Sequence, residues 1–370
     1  VRQVLFILIA VFVLAGCTQA PLENQHMPKR FEDQPIKRDV PSSFFTGSQL
    51  VPLENNLSIT EIVGWFDDGS ILYLEEQGES STLYQYNLHT SESSPFLQLD
   101  GWIIDVQANA DYSLFAVQQV TLNHETNLII VDRDGDSRQI FQDYGEEYVV
   151  YWNPYKEDTF IMVAFLPDWE FETYVVTDTK VKELSLDNSY VQWISEKHVG
   201  YLKWEELEPS FQAPLYEVNV ENSEERKWKE SVIAYMSFPD TLSLTVTVDS
   251  VYELYSTYTF YDEQKPFREI EMPILNTYSE QWWIPFYTYD VHDRVFYYLR
   301  PKHSSDFFSY DEGFDLIAYY VDTDAEEKLA TFDKHVPLRV SPSGGYLLIG
   351  DRFESVFDLS DGAIVSLLEE

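Results

Sequence analysis

The sequence predicts an all-β chain, a single β-propeller of four-stranded blades, and three observations carry that expectation. Two strand-and-turn phrases recur at a period of about 45 residues, inside the range of propeller repeats. Aromatic residues make up 16% of the 370 positions, with 26 Tyr and 24 Phe against only 14 Gly. Such side chains favour pleated sheets. Long runs of alanine, leucine and lysine at the helical period are missing from the sequence.

The first phrase is a strand, a tight turn and a strongly apolar strand. It is clearest at residues 63–74, around Asp67-Asp68-Gly69, and at residues 340–349, around Ser341-Pro342-Ser343-Gly344-Gly345. Weaker copies lie at 107–117, 152–163, 193–202, 237–246 and 289–299. The second phrase is an alternating strand, a polar turn and a short strand. It occurs at 83–90, 128–135, 174–179, 215–220, 318–323 and 356–362, with a looser copy at 258–263. Alternation sends every second side chain to one face, and Asp-Gly or Asn-rich turns accept the positive φ of tight hairpins. A lone four-stranded sheet would leave both apolar faces wet. Radial stacking buries them, and large aromatics fill the wedge between neighbours.

Seven units result, beginning near Ile59, Trp102, Val149, Val191, Val232, Trp283 and Val336. Merging or splitting one weak unit would give six or eight. Residues 49–53 read as a strand that pairs with the last unit and clasps the ring. The sixth unit is long, and its extra residues 302–313 read as a protruding loop.

Ahead of the repeats the chain has a different character. Arg2, an apolar stretch from Val4 to Leu14 and then Ala15-Gly16-Cys17 read as a secretory signal over residues 1–16. The apolar stretch is too short for a membrane span, which needs about 20 residues. Leu14-Ala15-Gly16-Cys17 resembles a bacterial lipobox. That resemblance implies that the Cys17 thiol receives a diacylglycerol and that Cys17 becomes the new N-terminus. Paired acyl chains of the palmitate kind anchor stably where one holds only reversibly. Residues 17–48, broken by Pro21, Pro28, Pro35 and Pro41, read as a flexible tether. The expected location is the cell membrane, lipid-anchored, on its extracytoplasmic face. The propeller domain is expected over residues 49–370. With one cysteine, that domain has no internal disulfide, no thiolate nucleophile and no thiolate metal site.

There are 64 acidic against 24 basic residues, a net charge of −40. Such a field repels phosphates and excludes nucleic acid as a partner. It attracts divalent cations or basic proteins, although surplus acid also serves solubility alone.

The lipobox, the Pro-spaced tether, the Ser341–Gly345 turn and the Asp358-Leu359-Ser360-Asp361-Gly362 hairpin together resemble the TolB-type and WD40-like propeller lipoproteins. The chain most resembles the YqgU-like lipoproteins of spore-forming Gram-positive bacteria, over roughly residues 50–370. That resemblance implies a six-bladed propeller with no assigned activity, one blade fewer than counted here. The Trp-Asp pair that ends true WD40 blades is absent from the sequence.

Several residue sets invite a chemical reading. Asp132, Asp134, Asp136 and Asp143 occupy positions 1, 3, 5 and 12 of a calcium loop, but Ser137 stands where the bend needs glycine. The stretch is also a hairpin turn, and we read it as one. Asp67-Asp68 is a hairpin tip rather than two carboxyls facing across a cleft. His124-Glu125 begins like a zincin motif, but Leu128 replaces the second ligand. His335 precedes an inner strand and is expected as a hydrogen-bonded filler near the channel. Trp282-Trp283 form the densest aromatic patch, suited to sugar stacking or to core packing, with packing favoured. No Gly-x-Ser-x-Gly elbow or phosphate loop occurs in the sequence. The expected function is therefore a non-enzymatic module that binds an envelope protein or wall polymer, with no catalytic, cofactor or metal residues assigned. The alternative is an extracytoplasmic propeller enzyme, possible metal included, acting on a glycan or lactone.

Overall fold

The computed structural model describes residues 50–53, 59–167, 170–178, 180–204, 210–276 and 283–368. The expected signal, Cys17 and the tether lie outside the described residues. Seven four-stranded antiparallel sheets follow one another, each a simple meander from one consecutive stretch of chain. Numbered from the N-terminus as blades 1 to 7, their first strands are Ile59–Asp67, Trp102–Ala108, Glu147–Trp152, Gln192–Ser195, Ala234–Ser237, Tyr287–Asp290 and Leu338–Val340. These starts fall within about four residues of the repeat units read from the sequence. The family resemblance implied six blades, whereas this chain has seven.

Blade stacking follows from strand alternation. In the second strand of blade 6, Phe296 and Tyr298 pack toward blade 5, while Val295, Tyr297 and Leu299 pack toward blade 7. Blade 7 repeats the pattern, with Leu347 and Ile349 against blade 6 and Tyr346 and Leu348 against blade 1. The buried apolar residues accordingly fall into separate clusters, one for each junction between neighbouring blades. One of them joins blade 7 to blade 1 and closes the ring. Each fully buried large apolar side chain in such a cluster contributes about 1.5–3 kcal/mol. Outer strands such as Lys180–Glu183 are exposed along their length.

No strand crosses the closing junction among the described residues; side chains and loops hold it instead. The Trp65 indole donates to the Arg339 carbonyl at 2.9 Å. Asp68 accepts from the Ser343 amide at 2.5 Å. Arg352 donates to the Thr60 and Ile59 carbonyls. Leu50 and Leu53 are buried in the same cluster, with Leu53 N–H on the Leu367 carbonyl and Val51 N–H on the Leu88 carbonyl. The 50–53 segment thus clasps the ring as a wedge touching both end blades, not as an added strand. Similar bonds tie the inner strands elsewhere. Trp152 donates to the Gln107 carbonyl, Trp193 to the Tyr151 carbonyl and Ser237 to the Trp193 carbonyl.

The expected loop at 302–313 does not project freely. Ser305–Asp306 pairs in parallel with Leu275–Asn276, Lys302 N–H bonds to the Tyr310 hydroxyl, and Phe307 packs on the cluster between blades 6 and 7.

Candidate functional site

The inner strands surround a channel, and the turns that follow them build its mouth. A cavity of about 710 Å³ lies there, walled by the turns of blades 2, 3, 5, 6 and 7, with Asn109, Tyr155, Phe238, His292 and Ser341 among its residues. A second cavity of about 350 Å³ runs on between blades 1, 2, 6 and 7. Arg339, Tyr112, Thr288 and Tyr289 border both.

Local chemistry shapes these turns. Asn109 accepts from the amides of Ser113 and Leu114 and donates to the Glu157 carbonyl of blade 3, so one side chain closes its own hairpin and locks the next. Tyr155 donates to the Phe238 carbonyl at 3.2 Å. At blade 5, Asp240 has φ of 70°, takes the Arg294 guanidinium at 2.5 Å and accepts from the Tyr289 hydroxyl. Burial pushes the Asp240 carboxyl above its usual range despite that cation.

Tyr190, just ahead of blade 4, reaches the phenol of Tyr287 on blade 6 and packs edge-on to Tyr151 at 6.0 Å. Desolvation raises all three phenols, Tyr151 and Tyr287 most, so they stay protonated. Glu61, Asp105 and Glu147 come from the inner strands of blades 1, 2 and 3. Burial first, and then its neighbour Asp105, raises the Glu61 carboxyl. Burial likewise raises Asp105, opposed by Arg339.

The residues singled out in the sequence mostly take structural parts. Asp132 accepts from the Asp134 and Asp136 amides at 3.0 Å each and is paired with Arg138. Burial raises its carboxyl, but those amides and that guanidinium outweigh it and hold the group below its usual range. The stretch is an Asx-closed hairpin turn. Asp67 caps its own turn at Gly69 and meets Arg133 at 3.3 Å. His124 sits in a turn with φ of 64°. His335 lies not in the channel but among Trp283, Phe286 and Phe314, with ring centroids 4.4–5.2 Å away. Its Nε2 accepts from the Phe286 amide at 2.8 Å, and burial drives its pKa down to about 4. Trp283 packs into the core between blades 6 and 7, and Trp282 lies outside the described residues.

One pairing was not visible in the sequence. Ser195 Oγ lies 3.0 Å from His198 Nδ1, and His198 Nε2 lies 3.1 Å from Asn219 Nδ2. The Asn219 Oδ1 already accepts from the Glu221 amide, so its amide nitrogen donates to the imidazole. His198 then carries its proton on Nδ1 and donates to Ser195. A histidine in that tautomer cannot deprotonate the serine, so the pair fastens a hairpin rather than activating a nucleophile. Arg339 and Tyr112 also escaped sequence reading. The only hint was a charge between two apolar residues, Leu338-Arg339-Val340.

Seven meander blades joined by seven apolar junctions around a central channel define a β-propeller. The chain belongs to the YqgU-like 6-bladed beta propeller domain family, whose model matches residues 87–350. The matched interval takes in blades 2 to 6 whole, the last strand of blade 1 and the first two of blade 7. Among relatives, the chain is 25% identical over 366 residues to the "Uncharacterized lipoprotein YqgU" of Bacillus subtilis (strain 168), covering 96% of this chain and 94% of that protein. A crystal structure of the uncharacterized protein lmo1340 from Listeria monocytogenes EGD-e superposes with a TM-score of 0.77 at 16% identity, over 87% of this chain and 98% of that one. The propeller domain of the Pyrococcus furiosus Trilobed protease, described as having an open velcro topology, gives 0.56 at 12% identity, over 84% and 97%. At these identities the two structures share the fold.

Proposed function

We propose that the chain is a lipid-anchored, extracytoplasmic binding module that holds an envelope protein or wall polymer at the channel mouth without transforming it. The observation that carries this reading is the cavity of about 710 Å³ walled by turns from five blades. Asn109 on its wall closes its own turn and locks the next, and Tyr155 ties blade 3 to Phe238 of blade 5, which makes a rigid, pre-formed rim of the kind ligand sites favour. Cys17 supplies the anchor, and the Bacillus subtilis relative that matches almost the whole chain is named a lipoprotein. Divalent cations drawn by the net charge of −40 are expected as diffuse counterions.

The test is capture from intact envelopes by the immobilised full chain. Ala110→Trp, which plugs the mouth, is expected to abolish enrichment of a specific partner. Ile364→Asp, on an exposed outer strand, is expected to leave it unchanged. Equal capture by both variants would overturn the reading. A stoichiometric divalent metal retained by the native protein, lost together with turnover of a glycan or lactone, would favour the enzyme alternative.

A further inference from the structure

The channel carries one guanidinium that the fold accommodates at some cost and leaves without an acid. Arg339 lies on the inner strand of blade 7, where Nη1 donates to the Val63 carbonyl of blade 1 at 2.8 Å. Among the described residues no carboxylate reaches it within ion-pair distance. Its face lies 4.9 Å from the Phe353 ring centroid, so Phe353 takes the face and Val63 one N–H, while the residue lines both cavities.

Three features of the backbone make room for it. Gly64 has φ of 151°, and a Cβ there would stand 2.4 Å from Arg339 Nη1. Tyr112 and Phe353 are the aromatic residues with positive φ among the described residues, at 59° and 51°. Both flank this guanidinium, Tyr112 sharing its cavity and Phe353 its stacking face. Bulky side chains in that region of backbone space cost about 1–3 kcal/mol each and gather where a fixed geometry is required.

The surroundings select the ligand. Asp105 and Gln107 share one face of the regularly paired part of the blade 2 inner strand, Gln107 lines the smaller cavity, and Glu61 of blade 1 lies close enough to Asp105 to feel its charge. Arg339 and Asp105 therefore feel each other across the channel without touching. A plain anion would be repelled by a chain of net charge −40 and by these acids. A ligand with a carboxylate and an ammonium meets complementary charge at both ends.

We propose that Arg339 anchors a carboxylate subsite for a small zwitterion of peptide type, its carboxylate on the guanidinium edge and its ammonium toward Glu61 and Asp105. This rests on the channel as the binding surface and adds the chemistry of what enters it.

Calorimetric titration of the detergent-solubilised full chain with alanyl-alanine tests it. Saturable binding is expected. Alanyl-alaninamide, without the carboxylate, should bind at least tenfold more weakly, N-acetyl-alanyl-alanine severalfold more weakly, and inorganic phosphate not at all. Arg339→Lys keeps the charge but loses the planar fork, and should weaken binding about tenfold with the melting temperature little changed. Lack of saturation by the dipeptide, equal binding of the amide, or undiminished binding by Arg339→Lys would overturn the proposal, as would tighter binding of phosphate. Mouth-dependent envelope capture that persists beside a failed titration would remove this subsite alone and leave the module reading standing.

Discussion

Replacing Trp65 with phenylalanine isolates the bond that closes the ring. The indole is 1% exposed, and its N–H reaches from blade 1 to the Arg339 carbonyl of blade 7 at 2.9 Å. Phenylalanine keeps an aromatic face against Tyr346 but removes that donor and part of the buried volume. Loss of a donor to a buried carbonyl costs about 1–3 kcal/mol, and the residual void adds to it, for a total of about 2–4 kcal/mol. Trp193→Phe is the matched control. That indole is 3% exposed and donates to the Tyr151 carbonyl at 2.8 Å, between blades 3 and 4. Urea unfolding should show a similar loss for both variants. Hydrogen exchange should separate them: Trp65→Phe speeds exchange at Leu53 and Ile62, whose amides bond across the closing junction, while Trp193→Phe leaves them protected. A Trp65→Phe loss below about 0.5 kcal/mol, or unchanged exchange at those amides, would refute closure by side chains.

Other expectations follow from the same contacts. Gly64→Ala places a methyl group against Arg339 Nη1 on backbone at φ of 151°, so it should destabilise by more than about 1 kcal/mol and weaken dipeptide binding, measured by melting and calorimetry. Asp132→Ala removes the acceptor of two turn amides and should cost about 1–3 kcal/mol, with the wild-type melting temperature unmoved by millimolar calcium; a calcium-dependent rise would restore the calcium-loop reading. His335 has its pKa lowered to about 4, below the unfolded value of about 6.5. The unfolded chain thus binds the proton first as pH falls, and stability declines between those values by on the order of 3 kcal/mol. His335→Phe should flatten that part of the pH–stability curve; an unchanged slope would show that His335 is not held neutral.

Much of the architecture was legible because propeller blades are local. Each blade comes from one consecutive stretch, so hairpin turns such as Asp67-Asp68-Gly69 and the alternation in residues 295–299 report it directly. Blade 6 was placed furthest from its observed start, four residues too early, near Trp283 against Tyr287, since Trp283 is a packing residue ahead of the strand. Closure was less legible. Trp65 and Arg339 are 274 positions apart, and no local pattern encodes their bond. The site was hidden for the same reason. Arg339 and Val63 meet only once the ring is shut, and the left-handed backbone at Tyr112 and Phe353 falls on residue types from which such geometry is not read. The aromatic and histidine motifs that do stand out in one dimension, Trp283 and His335, prove to be filling for a blade junction.

The channel mouth is the proposed meeting point of this propeller and its ligand. Photo-cross-linking in living cells tests this directly, with a light-activated residue placed singly at Ala110, Tyr155 and His292 on the mouth and at Lys180 and Ile364 on exposed outer strands. Discrete adducts from the three mouth positions and none from the outer two are the predicted result. Adducts confined to the outer strands would contradict it.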